Sequence, residues 1–130
     1  MRCPVCTNPM VILELQQVEI DYCTFCQGIW LDAGELEALL GDTQQVQDML
    51  TSFKIDDAIR EKRIKCPICN KKMHKIQAGQ HNPVIIDKCR TDHGLWFDSG
   101  ELQQIIEMGS LHKENEILIL LKDIFTNKLK

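Results

Sequence analysis

From residue 11 the chain reads V-I-L-E-L-Q-Q-V-E-I-D-Y, and in its second half Val18, Ile20 and Tyr22 alternate with Glu19 and Asp21. A period of two predicts a strand with one buried face, and the polar pair Gln16 and Gln17 predicts the turn of a hairpin. A second hairpin is expected around the longer loop A-G-Q-H-N-P, with Val84 to Asp87 as its returning strand. Elsewhere the period is helical. Val46, Met49, Leu50 and Phe53 share one side of a helix that Asp42 or Thr43 can cap. Leu111, Leu118, Leu121, Phe125 and Leu129 form another stripe, widened by Ile117 and Ile124 and capped by Ser110. The longest apolar run, Ile117 to Leu121, falls far short of the roughly 18 residues a membrane span needs, so no membrane partner is expected.

The pattern is stated twice. CTFCQGIWLDAGELEALL, from Cys23, has a near-copy in CRTDHGLWFDSGELQQII, from Cys89. Cys3 and Cys6 align with Cys66 and Cys69, and Ile20, Asp21 and Cys23 with Ile86, Asp87 and Cys89. In each copy D-x-G-E opens a short closing helix: Asp32 or Asp98 is placed to cap it while Glu35 or Glu101 reaches back. A repeat outranks length as a guide to architecture, so two small units are expected rather than one large core. The predicted organisation is a first unit over 1–41, a helical linker over 42–64, a second unit over 65–109 and a C-terminal amphipathic helix over 110–130. The fold class is small, metal-stabilised α+β.

Chemistry enters with the cysteines. All seven lie in four short clusters, Cys3/Cys6, Cys23/Cys26, Cys66/Cys69 and Cys89. Two C-x2-C pairs one hairpin apart bring four thiolates together, the ligand set of a structural zinc site. Cys3, Cys6, Cys23 and Cys26 are therefore candidate ligands of one Zn2+. The second set holds Cys66, Cys69 and Cys89, but Asp92 stands where Cys26 aligns, with His93 beside it. Imidazole is the better fourth zinc ligand, so His93 is the candidate and Asp92 the alternative; the one-residue shift is a change that a longer loop can absorb. Two zinc ions per chain are expected. Iron in the four-cysteine site and thioredoxin-like redox chemistry are the rivals, opposed respectively by the histidine and by the partner pair that each C-x-x-C has. An odd cysteine count fits a complete disulfide framework badly, and no export signal follows Met1, so the chain reads as cytoplasmic and reduced.

Trp30 and Trp96 are expected to cover the metal clusters, with an exposed partner-binding aromatic as the alternative. Gly28 and Gly94 are expected to supply a positive backbone dihedral. His74, His81 and His112 have no counterparts in the first copy and read as solvated surface residues.

The formal charge of -4 becomes about -7 once seven thiolates and two divalent ions are counted. Only the stretch from residue 54 to 94 is basic, including Arg60, Lys62, Arg63, Lys65, Lys71, Lys72 and Lys75.

The string C-P-x-C, then I-D-x-C-x-x-C-x-G-I-W-L-D-x-G-E-L, resembles the zinc-finger (zinc-ribbon) family named after transcription factor IIB. Cys3, Pro4, Cys6, Asp21, Cys23, Cys26, Gly28, Trp30, Leu31, Asp32, Gly34, Glu35 and Leu36 carry it in the first copy. In the second it is carried by Cys66, Pro67, Cys69, Asp87, Cys89, His93, Gly94, Trp96, Phe97, Asp98, Gly100, Glu101 and Leu102. The resemblance covers residues 3–40 and 66–107 and implies a zinc-binding fold with a link to transcription. Because both sites use all four ligand positions, a structural rather than catalytic metal is expected, and no enzyme. The sequence then favours a protein-interaction or regulatory module, with a homodimer through the C-terminal helix as one mode. A nucleic-acid module using Arg60 to Lys75, helped by Trp96 or Phe97, ranks second because an acidic chain opposes phosphate binding.

Overall fold

The computed structural model describes residues 1–59, 61–79 and 83–109. Arg60, His81, His112 and the predicted C-terminal helix lie outside the described residues. The described residues form ten elements. The first copy supplies β1 (Val11–Leu15), β2 (Val18–Tyr22), β3 (Ile29–Asp32) and α1 (Glu35–Leu40). The connection carries α2 (Gln44–Thr51) and β4 (Lys54–Ile55), and the second copy β5 (His74–Ala78), β6 (Val84–Lys88), β7 (Gly94–Phe97) and α3 (Glu101–Gly109).

The β1–β2 hairpin follows from its turn residues. Leu15 pairs with Val18. The two residues between them, Gln16 and Gln17, have φ of 49° and 68°, the double positive value that suits a two-residue turn to the twist of its strands. Thr43 caps α2, its side chain accepting from the backbone N–H of Val46. Among its described residues the connection is helical from Gln44 to Thr51, not throughout 42–64. Beyond it Lys54 and Ile55 pair with Gln77 and Ile76, and the Asp56 carboxylate accepts from the Ala58 N–H to turn the chain.

A third strand in each copy, not anticipated from the alternation, decides the architecture. β3 and β7 pair antiparallel, Trp30 opposite Trp96 and Leu31 opposite Leu95, so the two hairpins join in one seven-stranded sheet of order β1-β2-β3-β7-β6-β5-β4. Equivalent tryptophans face each other across an approximate twofold axis. One apolar cluster draws on both copies, with Ile20, Leu31, Leu36 and Leu39 from the first and Ile86, Phe97, Leu102 and Ile105 from the second. The separate small cores expected of a repeat are thus replaced by a shared one. A second cluster gathers Trp30, Trp96, Met10 and Met73 with the cysteines.

Candidate metal centres

Four knuckles hold the ligands, and each is closed by the same backbone device. In the first three the N–H four residues after the leading cysteine bonds back to that cysteine's carbonyl: Thr7 to Cys3, Gln27 to Cys23 and Asn70 to Cys66. Those closing residues have φ of 64°, 66° and 62°. In the fourth knuckle the closing residue comes one position sooner: the Asp92 N–H bonds to the Cys89 carbonyl, and Asp92 has φ of 58°. The knuckle is no longer overall, since Cys23 N–H bonds to Gly28 and Cys89 N–H to Gly94 at the same separation. No longer loop absorbs the shift; the positive dihedral moves from the Gln27 position to Asp92, a residue type that tolerates it, and the imidazole reaches back.

The result is two groups of four. Cys3, Cys6, Cys23 and Cys26 have their sulfurs within 4.8 Å of one another, as do the ligand atoms of Cys66, Cys69, Cys89 and His93. Asp92 joins neither: its side chain is 77% exposed and its carboxylate lies 3.4 Å from Lys88 Nζ. Sulfur separations are 3.4 Å for Cys3–Cys26 and for Cys6–Cys23, and 3.6 Å for Cys69–Cys89. These are far too long for disulfides and close to the about 3.8 Å edge of a tetrahedron with zinc–sulfur bonds near 2.3 Å. His93 Nδ1 lies 3.3 Å from Cys89 Sγ. Thiolate and imidazole donors in these numbers suit zinc, and the two groups fit two zinc ions.

The surrounding hydrogen bonds favour thiolate unevenly. N–H groups of Val5, Ile68 and Thr91 point at Cys3, Cys66 and Cys89, each at 3.4 Å. Backbone and side-chain donors of Asn8 lower Cys6 to about 6, whereas burial raises Cys3 and Cys26. At the second site burial pushes Cys66 up to about 11; it also opposes ionisation of Cys89, but Thr91 and the His93 N–H outweigh it and bring Cys89 to about 6. The sulfurs of Cys69 and Cys89 raise His93. A divalent cation is what deprotonates the full set, so metal binding releases protons. Replacing His93 by alanine is expected to weaken zinc at the second group at least tenfold while Asp92→Ala leaves it within about twofold. Competition with a chelator measures both, and equal losses would count against imidazole as the ligand.

Behind the metal groups the tryptophans are wholly buried, which removes the exposed, partner-binding alternative. Trp30 Nε1 donates to the Asp32 carboxylate at 2.9 Å and Trp96 Nε1 to Asp98 at 3.0 Å. These carboxylates therefore hold the indoles instead of capping helices, and the N-cap of α1 is Gly34, with no side-chain cap. The reach-back of the glutamates is present: Glu35 accepts from the Asp32 N–H and Glu101 from the Asp98 N–H. Gly28 and Gly94 are not at positive φ either. They are glycines because the tryptophan of the other copy lies against them: a Cβ on Gly28 would stand 2.1 Å from Trp96, and one on Gly94 2.7 Å from Trp30.

Burial lifts Glu101 to about 7, with the Asp98 N–H resisting and the charges of Asp98 and Asp87 adding to the rise. A carboxyl raised in the folded state contributes stability below its unfolded value near 4.5, and that contribution is lost as pH climbs to about 7. Glu101→Gln keeps the acceptor and removes the charge. Its stability relative to the unsubstituted protein is expected to rise by about 1–2 kcal/mol between about pH 5.5 and about pH 8, after discounting for solvent screening. Urea unfolding at several pH values checks the slope, and a pH-independent difference would refute it.

The second copy also contains a buried pair that the sequence did not reveal. Lys75 Nζ lies 2.9 Å from Asp87, and both side chains are almost fully enclosed. Lys75 is therefore no phosphate contact, and burial holds the Asp87 carboxyl up near about 6 against the attraction of the ammonium. Arg63 is 3.4 Å from Asp57, which also meets His74 Nδ1 at 2.9 Å, so His74 is a bonded, half-buried residue. Asn8 and Thr91, which bond ligand sulfurs, lacked a sequence signal because neither recurs in the other copy.

Paired cysteine knuckles on antiparallel hairpins, each gathering four soft ligands, define a zinc ribbon. The chain belongs to the transcription factor zinc-finger family, which residues 2–42 and 65–108 match. No curated protein and no solved structure matches the chain. Among the described residues no helix is long and apolar enough to cross a membrane.

Proposed function

We propose that this is a non-enzymatic zinc-ribbon protein acting as a protein-interaction module in a regulatory, transcription-associated setting. The observation that carries the reading is the closure of both metal groups: each has four protein donors, so no coordination position is left for water or substrate. Zinc then shapes a surface instead of performing chemistry.

The first knuckles of the two copies and the connection between them border a cleft of about 1050 Å³. Pro4, Val5, Ile64 and Pro67 give it apolar walls, and on its rim Arg2, Lys62, Lys65 and Lys72 outnumber the acidic Glu61 and Asp98. Val5 and Ile68 sit exposed at equivalent knuckle tips. An acidic protein segment with apolar anchors fits such a lining. The same lysines are what favour nucleic acid as the second reading, but Lys75 and Arg63 are already paired and both tryptophans and Phe97 are buried, leaving no stacking surface from them. The test is capture of partners from the protein's own lysate, with and without nuclease, by the intact protein and by a Val5→Asp, Ile68→Asp variant. Retention after nuclease and loss in the zinc-loaded variant support the proposal. Loss of every partner on nuclease treatment transfers it to nucleic acid.

A further inference from the structure

The duplication gives each surface of one copy a counterpart in the other. β1 and β5 correspond residue by residue, Ile12 to Lys75, Leu13 to Ile76 and Glu14 to Gln77, and their partners Asp21 and Asp87 match in register. On β5 the outward backbone groups are in use. β4 lies along that edge with Lys54 opposite Gln77, the Asp56 N–H donates to the Lys75 carbonyl at 2.8 Å, and the Lys75 N–H donates to the Asp57 carboxylate at 3.3 Å. The same groups of β1 belong to Ile12 and Glu14. There β1 ends the sheet, and no described residue pairs with its outer edge. Ile12 is 66% exposed where Lys75 is 2%. Such an edge adds an extended chain through main-chain hydrogen bonds.

Charge decides what kind of chain. Ile12 and Glu14 share one face of the sheet, and their partners on β2 are Asp21 and Glu19, so three carboxylates surround one exposed isoleucine. Glu14 and Glu19 stand directly opposite each other, a like-charge pair that weakens a hairpin. Among the described residues no cation pairs with any of the three. Within residues 1–41 Arg2 is the one lysine or arginine against six acidic residues, so a countercharge has to come from outside the first copy. A second β1–β2 hairpin brings none, because residues 11–22 hold no lysine or arginine. On its other face β1 carries the partly buried Leu13, which favours an apolar neighbour. The strand docked on β5 already follows this alternation, Lys54 at the position of Glu14 and Ile55 at that of Leu13.

We propose that the outer edge of β1 takes up an extended basic segment of a partner protein as an additional strand. Alternate lysines or arginines of that segment meet Glu14, Glu19 and Asp21, and the apolar residues between them cover Leu13. This surface shares no residue with the cleft between the first knuckles and selects the opposite charge. The probe is a capped peptide, Lys-Ile-Lys-Val-Lys-Ile-Lys, added to the full-length, zinc-loaded protein and followed by titration and hydrogen exchange. Amides of Ile12 and Glu14 are expected to slow about tenfold at saturating peptide, while that of Gln77, already under β4, does not change. A Glu14→Lys, Glu19→Lys variant exchanges one exposed like-charge pair for another. It is expected to bind this peptide about tenfold more weakly and to take Glu-Ile-Glu-Val-Glu-Ile-Glu instead. Equal affinity of the unsubstituted protein for the two peptides overturns the proposal, as does binding that leaves Ile12 and Glu14 exchanging freely. Edge amides protected before any peptide is added overturn it too: the occupant is then the chain itself, or a second copy where dilution removes the protection.

Discussion

Removing both zinc ions is expected to unfold the whole described core in one transition. Ligand binding at a structural site of this kind contributes on the order of 10 kcal/mol, comparable with or larger than the total stability of a domain, about 5–15 kcal/mol. Neither copy has a substitute, because the cluster around Trp30 and Trp96 consists largely of ligand cysteines. The two losses are coupled. β3 and β7 are paired through Trp30 and Trp96, and the apolar cluster takes residues from both copies, so a copy that loses its metal withdraws packing from the other. Circular dichroism and zinc release followed together against chelator concentration should coincide. Two well-separated transitions would mean that the sheet does not bind the copies into one cooperative unit. Metal analysis of the intact protein should give two zinc ions per chain and little iron.

Gly94→Ala is expected to cost about 3–5 kcal/mol, a large effect for one methyl group. The added carbon would stand 2.2 Å from the Leu31 carbonyl oxygen and 2.7 Å from the Trp30 ring. The first is backbone, fixed by the β3–β7 register, and the second is a wholly buried indole whose Nε1 is held by Asp32. Relief requires the two strands to part, which opens the seam between the copies. Gly28→Ala meets Trp96 at 2.1 Å and should behave alike, whereas Gly34→Ala has open space within 4 Å and bears only the strain of a φ of 90°, about 1 kcal/mol. Urea midpoints of the three variants at saturating zinc provide the comparison. Equal midpoints for Gly94→Ala and Gly34→Ala would show that the close approach is not maintained in solution.

The ligand clusters, the hairpins and α2 were legible because their signals are local. C-x2-C brings two thiolates to one knuckle by spacing alone, alternation in Val18–Tyr22 fixes a buried face, and Thr43 three residues before Val46 makes a cap. Where local reading misled, a distant residue had taken over the part. Asp32 and Asp98 look like helix caps until an indole N–H two residues earlier claims each carboxylate. Gly28 and Gly94 look like turn glycines until the tryptophan of the opposite copy occupies the place of a side chain. The run Arg60 to Lys75 looks like one basic surface broken only by Glu61, but Asp87 takes Lys75 into the interior. Pairing of β3 with β7 joins strands more than 60 residues apart in the chain, and no spacing within either strand encodes it. By itself the sequence determined which residues gather around each metal, since chelation is settled over a few bonds of chain. Whether the two ribbons form one sheet, which glycines are indispensable and which charges reach solvent were decided only in three dimensions, where packing excludes every side chain but the one that fits.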